Sequence, residues 1–177
     1  MRIWFDASIL AEHVRDVPNF PNEGVTFKDI TPLLGNPAAF SSAVDAIVVS
    51  FGRGSIDKVV GIEARGFILA TPVAYHFGAG FVPMRKRGKL PRETYQETYD
   101  LEYGTETLEV HADAFDDGDR VLIVDDVLAT GGTAAAACGL VTRAGGHVAG
   151  LAFLIELTFL GGADRISGHD YTSLLTY

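Results

Sequence analysis

Two neighbouring carboxylates followed by a glycine turn give this sequence its clearest chemical signal. Asp125 and Asp126 come directly after the apolar run Val121-Leu122-Ile123-Val124, and the sequence soon continues as Thr130-Gly131-Gly132-Thr133. Ionised aspartates only accept hydrogen bonds, which suits the hydroxyl groups of a sugar. A glycine turn that opens a helix presents free N–H groups and a positive dipole end, which suits a phosphate. The run as a whole predicts a sugar-phosphate site, although such a turn taken alone is more often a plain surface turn.

Basic residues are gathered in one short segment of an otherwise acidic chain. The net charge is -9, yet five of the 14 lysines and arginines fall within residues 85–92. A further arginine lies in Glu63-Ala64-Arg65-Gly66, between a predicted strand and a predicted helix. Charge runs are usually solvated, and a lone arginine is usually a surface ion-pair partner. Here the clustering in an otherwise acidic chain, beside a long polar stretch, favours binding of an anionic small substrate.

Alternating strands and helices are predicted to position these residues. The predicted strands are residues 58–62, 80–84, 120–124, 148–155 and 171–175, and the predicted helices are residues 36–51, 66–77 and 133–143. This alternation indicates the α/β class, with a mostly parallel core sheet flanked by helices on both faces. Ligands of such sheets bind at the carboxyl ends of the strands, where both candidate segments fall.

Four other segments are less regular. Asp6 is a candidate cap for a helix that runs to about residue 17. Residues 18–32 are predicted to be irregular, because they contain three prolines and Gly24. Residues 85–100 form a long polar stretch of the kind that serves as a lid. Residues 101–103 and 107–111 are predicted to pair as antiparallel strands. The length suits one domain covering residues 1–177.

The composition argues against several classes of protein. An acidic chain is a poor match for nucleic acid or for an anionic membrane surface. Cys138 is the only cysteine, so neither an internal disulfide nor a cysteine-based metal site is expected. No apolar run approaches the ~20 residues of a membrane-spanning helix, and the N-terminus lacks the core of a signal peptide. The expected compartment is therefore the cytoplasm.

The run from Val121 to Thr133 resembles the phosphoribosyl pyrophosphate (PRPP) signature of type I phosphoribosyltransferases. The resemblance extends over about residues 20–175 and implies that family's fold, with a small N-terminal hood formed mostly by residues 18–32. It implies that Asp125 and Asp126 hold the ribose hydroxyls. It also implies that the 5-phosphate is held by Ala129, Thr130, Gly131, Gly132 and Thr133. A pyrophosphate substrate implies Mg²⁺ as cofactor, held mainly by substrate and water rather than by protein ligands.

Two segments resemble the adenine-specific branch of this family. Ala129 stands where the 6-oxopurine enzymes typically carry an aspartate, and Leu101-Glu102-Tyr103-Gly104 matches a segment of the adenine branch. The resemblance implies that Glu102 handles the proton of the base and that Tyr103 assists catalysis. From the residues alone, Glu102 is more simply an edge-strand carboxylate beside a packing tyrosine.

The resemblance also assigns the residues around pyrophosphate and the base. Pyrophosphate is expected to contact Glu63, Ala64, Arg65, Arg85, Lys86 and Lys89. The peptide bond Glu63–Ala64 is expected to be cis, and Arg65 is expected to take part in catalysis. The resemblance also implies a homodimer in which a basic residue, best matched by Arg85, acts across the interface. The base is expected to contact Thr26, Phe27 and Lys28, with Phe27 stacking on the ring, although an aromatic residue here is otherwise a core side chain. Glu23 and Lys28 stand where the commonest family pattern has proline and arginine.

The activity that this resemblance implies is a purine salvage step. Adenine and PRPP would give AMP and pyrophosphate, with no nucleic acid or membrane as partner. The alternatives are a 6-oxopurine or orotate transferase, and a regulator that binds PRPP without turnover. Ala129 and the segment around Glu102 favour adenine, and the acidic charge argues against a regulator with a basic RNA-binding face.

Overall fold

The computed structural model describes residues 7–52, 54–100 and 104–177. The helices are α1 (Ala7–Ala11), α2 (Thr31–Gly35), α3 (Pro37–Phe51), α4 (Gly66–Phe77) and α5 (Gly132–Arg143), with 3-10 turns at Thr158–Leu160 and Gly162–Ile166. The strands are β1 (Arg15–Pro18), β2 (Thr26–Asp29), β3 (Lys58–Ile62), β4 (Gly80–Lys86), β5 (Thr94–Asp100), β6 (Thr105–His111), β7 (Arg120–Leu128), β8 (His147–Glu156) and β9 (Tyr171–Thr176).

Seven of the described strands form one sheet in the order β5-β6-β4-β3-β7-β8-β9. The five strands from β4 to β9 run parallel, whereas β6 pairs antiparallel with both β4 and β5. The predicted mostly parallel α/β sheet is therefore confirmed. The helix predicted from Asn36 is also found, and the Asn36 side chain accepts hydrogen bonds from the N–H groups of Ala38 and Ala39 at 3.0 Å.

The sheet is buried on both faces, because side chains alternate along its central strands. Val59 and Leu122 face one apolar cluster, which is covered by α1, α2, α3 and α4. Val60 and Ile123 face a second cluster, which includes Cys138 and most of the apolar side chains of α5. The central strands are therefore fixed on both sides, and the loops at their carboxyl ends rest on a rigid support.

Three of the secondary-structure predictions are wrong in part. The predicted helix to residue 17 stops at Ala11, because Arg15–Pro18 pairs with Thr26–Asp29 in a separate two-stranded sheet. That pairing also gives a strand to the segment predicted to be irregular, and α2 begins beside Pro32. Residues 85–100 are not one long loop, since β4 continues to Lys86 and Thr94–Asp100 forms β5. Long-range strand pairing thus outweighs the local sequence signal.

The edge strand β5 has a polar sequence and a largely exposed surface. It pairs with Thr105–His111, whereas Leu101, which was predicted to belong to that pair, lies outside the described residues. Arg143 of α5 donates a hydrogen bond from Nη1 to the carbonyl of Gln96 at 2.8 Å and forms an ion pair with Glu97. These contacts hold the edge strand against the helix that begins at the glycine turn.

Candidate active site

The glycine turn after β7 has a backbone suited to binding an anion. Gly131 has a φ of 79°, in the left-handed region that glycine adopts without steric cost. The helix α5 begins at Gly132, and the N–H of Ala135 donates to the carbonyl of Gly131 at 2.9 Å. The N–H groups of the first helical turn have no partner within the helix and can therefore bind a phosphate.

The two aspartates lie where the sheet opens between β3 and β7. Pairing between these strands ends at Gly61 and Val124, whereas β7 continues to pair with β8. The N–H of Asp126 donates to Oδ1 of Asp125 at 2.9 Å. The backbone of Gly66, at the start of α4, packs so closely that a Cβ there would lie 2.8 Å from Asp125 Oδ1. The start of α4 therefore forms the opposite side of this opening.

The aspartates have different electrostatic surroundings. Burial, reinforced by the charge of Asp126, raises the pKa of Asp125 well above its ordinary value. The Arg65 Nε lies 2.6 Å from Oδ2 of Asp126, in an ion pair that is not aligned as a hydrogen bond. That buried oxygen can still accept a hydrogen bond, for example from a sugar hydroxyl.

A second turn, between β3 and α4, gathers the predicted cations around Glu63. The peptide bond Glu63–Ala64 is cis, as expected. Glu63 accepts a hydrogen bond from the N–H of Lys86 at 3.0 Å and from Arg85 Nε at 3.3 Å, and it forms an ion pair with Lys89. Burial opposes ionisation of Glu63, but these hydrogen bonds outweigh it and lower its pKa. The carboxylate of Glu63 thus pairs with Arg85 and Lys89 in the structure.

The N-terminal two-stranded sheet reaches over the same region. The Phe27 ring packs edge-on against Phe20, with ring centroids 5.2 Å apart, and the guanidinium of Arg65 lies 5.0 Å from the Phe27 centroid. The ammonium group of Lys28 forms an ion pair with Asp16 at 2.6 Å and lies 3.8 Å from the ring centroid of Tyr177, in a cation–π contact. Arg65 therefore links the N-terminal sheet to the acidic pair.

These elements enclose a cleft of about 430 Å³. The predicted site residues that line it are Thr26, Phe27, Lys28, Glu63, Ala64, Arg65, Lys86, Asp125, Asp126, Ala129 and Thr133. Other predicted residues surround it without lining it, namely Arg85 and Lys89, which contact Glu63, and Thr130, Gly131 and Gly132, which form the turn. Glu102 and Tyr103 lie outside the described residues.

Several lining residues were not predicted from the sequence. Tyr99 is half-buried and forms a side-chain hydrogen bond with Thr133, while Glu106 holds Lys86 Nζ at 2.7 Å. Val25, Val127, Leu157 and Leu160 supply further apolar wall. Four of these lie within or beside segments already singled out in the sequence, namely Val25, Tyr99, Glu106 and Val127. Leu157 and Leu160 had no such signal, and they reach the cleft only through folding.

Among the residues that the structure describes, no group of three or more histidine, cysteine, aspartate or glutamate side chains could hold a metal ion. Within those same ranges, no helix is long and apolar enough to span a membrane.

The sequence profile of the phosphoribosyl transferase domain matches residues 36–174. The adenine phosphoribosyltransferase of Acidothermus cellulolyticus is 62% identical over 167 residues, covering 94% of each chain. That of Thermobifida fusca is 56% identical over 170 residues, covering 96% of this chain and 97% of its own.

Solved structures agree with the sequence relatives. The adenine phosphoribosyltransferase of Thermoanaerobacter pseudethanolicus superposes with a TM-score of 0.93 at 46% identity, covering 97% of this chain and 100% of its own. The Saccharomyces cerevisiae enzyme, solved with an imino-altritol bisphosphate and adenine, gives a TM-score of 0.91 at 40% identity, covering 96% and 98%.

Proposed function

This chain belongs to the phosphoribosyl transferase domain family and, within it, to the adenine phosphoribosyltransferases, and we propose that the cleft described above is its active site. The enzyme transfers the 5-phosphoribosyl group of PRPP to adenine and releases AMP and pyrophosphate, a step of purine salvage. The observation that carries the proposal is the convergence of three walls on one cleft. These are the acidic pair with the glycine turn, the turn at Glu63–Ala64, and the N-terminal sheet.

The acidic pair and the glycine turn would hold the part of PRPP that becomes the nucleotide. The 5-phosphate would accept hydrogen bonds from the N–H groups of Thr130–Thr133 and from the threonine hydroxyls. Asp125 and Asp126 would accept hydrogen bonds from the ribose hydroxyls. Both groups are fixed to the strand β7 and the helix α5, so the ribose would keep one orientation while its anomeric carbon reacts.

The turn at Glu63–Ala64 would hold the leaving pyrophosphate. Negative charge develops on this group as its bond to the ribose breaks, and nearby cations stabilise that charge. Arg65 and Lys86 line this side of the cleft, and Arg85 and Lys89 lie behind them on Glu63. The protein would thus stabilise the departing charge with side chains that already lie at the cleft.

The donors present suit a magnesium ion held through the substrate. The Oδ2 atom of Asp126 is buried and accepts no hydrogen bond from the described residues. Those residues contain no cluster of three side chains that could hold a metal ion. We therefore propose Mg²⁺ as a cofactor held mainly by pyrophosphate oxygens, ribose hydroxyls and water. When bound, it would neutralise charge on the leaving group.

Adenine would lie against the N-terminal hood formed by residues 18–32. Phe27 would stack on the ring, backbone groups of Thr26 would read its edge, and Lys28 would support the hood through Asp16. Glu102 is proposed to accept the proton that adenine loses, with assistance from Tyr103. These last two assignments rest on the family segment alone.

A panel of bases tests the activity. The enzyme would be supplied with PRPP, Mg²⁺ and either adenine, hypoxanthine, guanine, xanthine or orotate, while pyrophosphate release and nucleotide formation are followed. Adenine should exceed hypoxanthine by about 10³-fold or more in kcat/KM, since a mismatched edge leaves buried polar groups unpaired. Comparable use of hypoxanthine would favour a 6-oxopurine enzyme. Tight PRPP binding without pyrophosphate release for any base would favour a regulator.

We propose further that the enzyme is a cytoplasmic homodimer. Ile68 and Tyr75 on α4, and Phe81 on β4, expose apolar surface close to the strand that carries the basic cluster. Exposed apolar side chains on neighbouring elements are candidates for contacts between subunits. PRPP and AMP are charged metabolites, so we propose that the enzyme shares the compartment in which they are made.

Arg85→Ala and Glu102→Gln test the shared-site form of this proposal. Each variant alone should be inactive, and mixed dimers should regain activity if Arg85 acts across the interface and Glu102 within its own subunit. An active monomer in light scattering, or an inactive mixture in which heterodimers form, would contradict it. Cell fractionation with a membrane marker would test the compartment.

A further inference from the structure

The segment after β8 lines the cleft at one end and is buried in the core at the other. Leu157 and Leu160 line the cleft beside the N-terminal sheet, whereas Ile166, at the other end of the segment, is 1% exposed within the core. The N–H of Leu157 donates to the carbonyl of Leu128 at 2.9 Å. The segment is thus fixed at both ends and runs alongside the glycine turn.

In the middle of this segment, Gly162 lies directly against the backbone of that turn. A Cβ on Gly162 would lie 2.2 Å from the carbonyl oxygen of Ala129 and 2.9 Å from the amide nitrogen of Gly131. The contact is reciprocal, since a Cβ on Gly131 would lie 2.3 Å from the carbonyl oxygen of Gly162. Backbone atoms cannot rotate away as a side chain can, so any Cβ here must displace the turn or the segment.

The two glycines are needed for different reasons. Gly131 has a φ of 79°, so it requires glycine for its conformation as well as for space. Gly162 is buried, and its φ lies outside the left-handed region, so alanine could adopt its backbone conformation. Space against the turn is the remaining reason for glycine at position 162.

We propose that Gly162 is a positioning residue for the 5-phosphate turn. It allows the segment to press on the outer side of Ala129 and Gly131, and this contact fixes the direction of the N–H groups that would bind the phosphate. This inference rests on the proposed function, because it assumes that the turn binds a phosphate. A displaced turn loses hydrogen bonds to a charged group, which costs on the order of 10- to 10²-fold in affinity.

The test compares two ligands that differ only in the phosphate. Dissociation constants of AMP and adenosine would be measured by calorimetry for wild type, Gly162→Ala and Gly168→Ala. Gly168 is a matched control, because a Cβ there would meet nothing within 4 Å and its φ is not left-handed. We expect Gly162→Ala to weaken AMP binding by about 10- to 10²-fold and adenosine binding by less than about twofold, while Gly168→Ala changes neither.

Each outcome separates the inference from the proposed function. If wild type binds AMP no better than adenosine, the phosphate site itself is misassigned. If wild type discriminates but Gly162→Ala weakens AMP and adenosine equally, or weakens neither, Gly162 does not position the turn. Circular dichroism would first establish a temperature at which the variants are folded.

A milder variant covers the case in which Gly162→Ala does not fold. Ile166→Val removes one methyl group from the buried end of the same segment and lowers stability only modestly. It should reduce the preference for AMP over adenosine several-fold. Ile47→Val, at a fully buried position on the other face of the sheet, should cost similar stability and leave that preference unchanged. If Ile166→Val and Ile47→Val show the same preference for AMP over adenosine, the inference is overturned.

Discussion

Asp125 and Glu63 lie on facing walls of the same cleft, and their pKa values are shifted in opposite directions. Glu63 receives hydrogen bonds from Arg85, Lys86 and Lys89, and these lower its pKa despite its burial. Asp125 accepts a hydrogen bond from the N–H of Asp126, and burial beside a second carboxylate raises its pKa. The charge of Glu63 is therefore stabilised by its donors in the free protein, whereas the charge of Asp125 is disfavoured there.

The difference suggests how one cleft can retain one product and release the other. The wall at Asp125 is built from backbone and from a carboxyl group whose charge burial disfavours, so hydroxyl donors of the ribose 5-phosphate part should be favoured there throughout the reaction. The wall at Glu63 has an internal anion that competes for its cations. Pyrophosphate would exchange with that anion, and its departure would restore the original ion pairs.

Neutralising Asp125 should have the largest effect. Asp125→Asn should weaken PRPP binding by about 10- to 100-fold, because hydrogen bonds to a charged group contribute roughly 1.5–3 kcal/mol. The same change should raise the Tm of the free protein by about 2–4 °C for each ~1 kcal/mol of relieved penalty. Calorimetry with PRPP and a melting curve would measure both, with the exposed Asp117→Asn as control. A lower Tm would show that Asp125 is satisfied without ligand.

The dependence on pH follows from the raised pKa of Asp125. In the unfolded chain, Asp125 ionises near the ordinary aspartate pKa of 3.8, which is a lower pH than in the folded protein. The contribution of Asp125 to stability therefore falls as pH rises from that value to the raised pKa, and stays lost above it. Asp125→Asn should remove this fall.

Neutralising Glu63 should act in the opposite direction on stability and more weakly on binding. The lowered pKa of Glu63 means that its charge stabilises the fold above pH 4.5, and this contribution is lost as pH falls through the folded pKa. Glu63→Gln removes the charge and should therefore lower the Tm at neutral pH. Pyrophosphate should bind about fivefold more tightly, because partly exposed ion pairs contribute up to about 1 kcal/mol. Product inhibition would measure this.

Asp113→Asn is the control for Glu63→Gln, because it breaks an ion pair with Arg92 at the surface. It should leave pyrophosphate inhibition unchanged. Weaker pyrophosphate binding in Glu63→Gln would mean that Glu63 orders the cations for the ligand, rather than competing with it.

Tyr99→Phe should have the smallest effect. Burial raises the pKa of Tyr99, so its hydroxyl stays protonated at neutral pH and available to Thr133. Loss of this one hydrogen bond should weaken AMP binding about fivefold and leave pyrophosphate inhibition unchanged. Tyr95→Phe, on the same strand but outside the cleft, should change neither. If AMP binding and pyrophosphate inhibition weaken equally in Tyr99→Phe, Tyr99 does not act only on the side of the cleft formed by the glycine turn.

The parts of the fold and of the cleft that are contiguous along the chain could be predicted from the sequence. The run from Val121 to Thr133 combines a buried strand, two acids and a glycine turn, and these lie together because they are neighbours along the chain. The cis peptide at Glu63–Ala64 was expected by resemblance and is present. The pairing of Glu63 with three donors from β4 and its loop was not foreseen, because it depends on the folded approach of two strands.

Other features had no local signal. Gly162 lies 31 residues after Gly131, and nothing near it in the sequence indicates contact with a turn. The strand β5 was interpreted as a loop because it lacks alternating apolar residues. Tyr99 was consequently placed in a lid, whereas it lies on a strand that reaches the glycine turn.

The polar sequence of β5 also affects how the protein behaves at high concentration. An edge strand has unpaired backbone groups to which a strand of another molecule can add, and this is a common route to aggregation. Glu97 and Asp100 place charge along this edge, and Arg143 occupies the carbonyl of Gln96. Hydrophobic residues at these positions would have made the strand easy to recognise, but they would also have favoured intermolecular sheet growth.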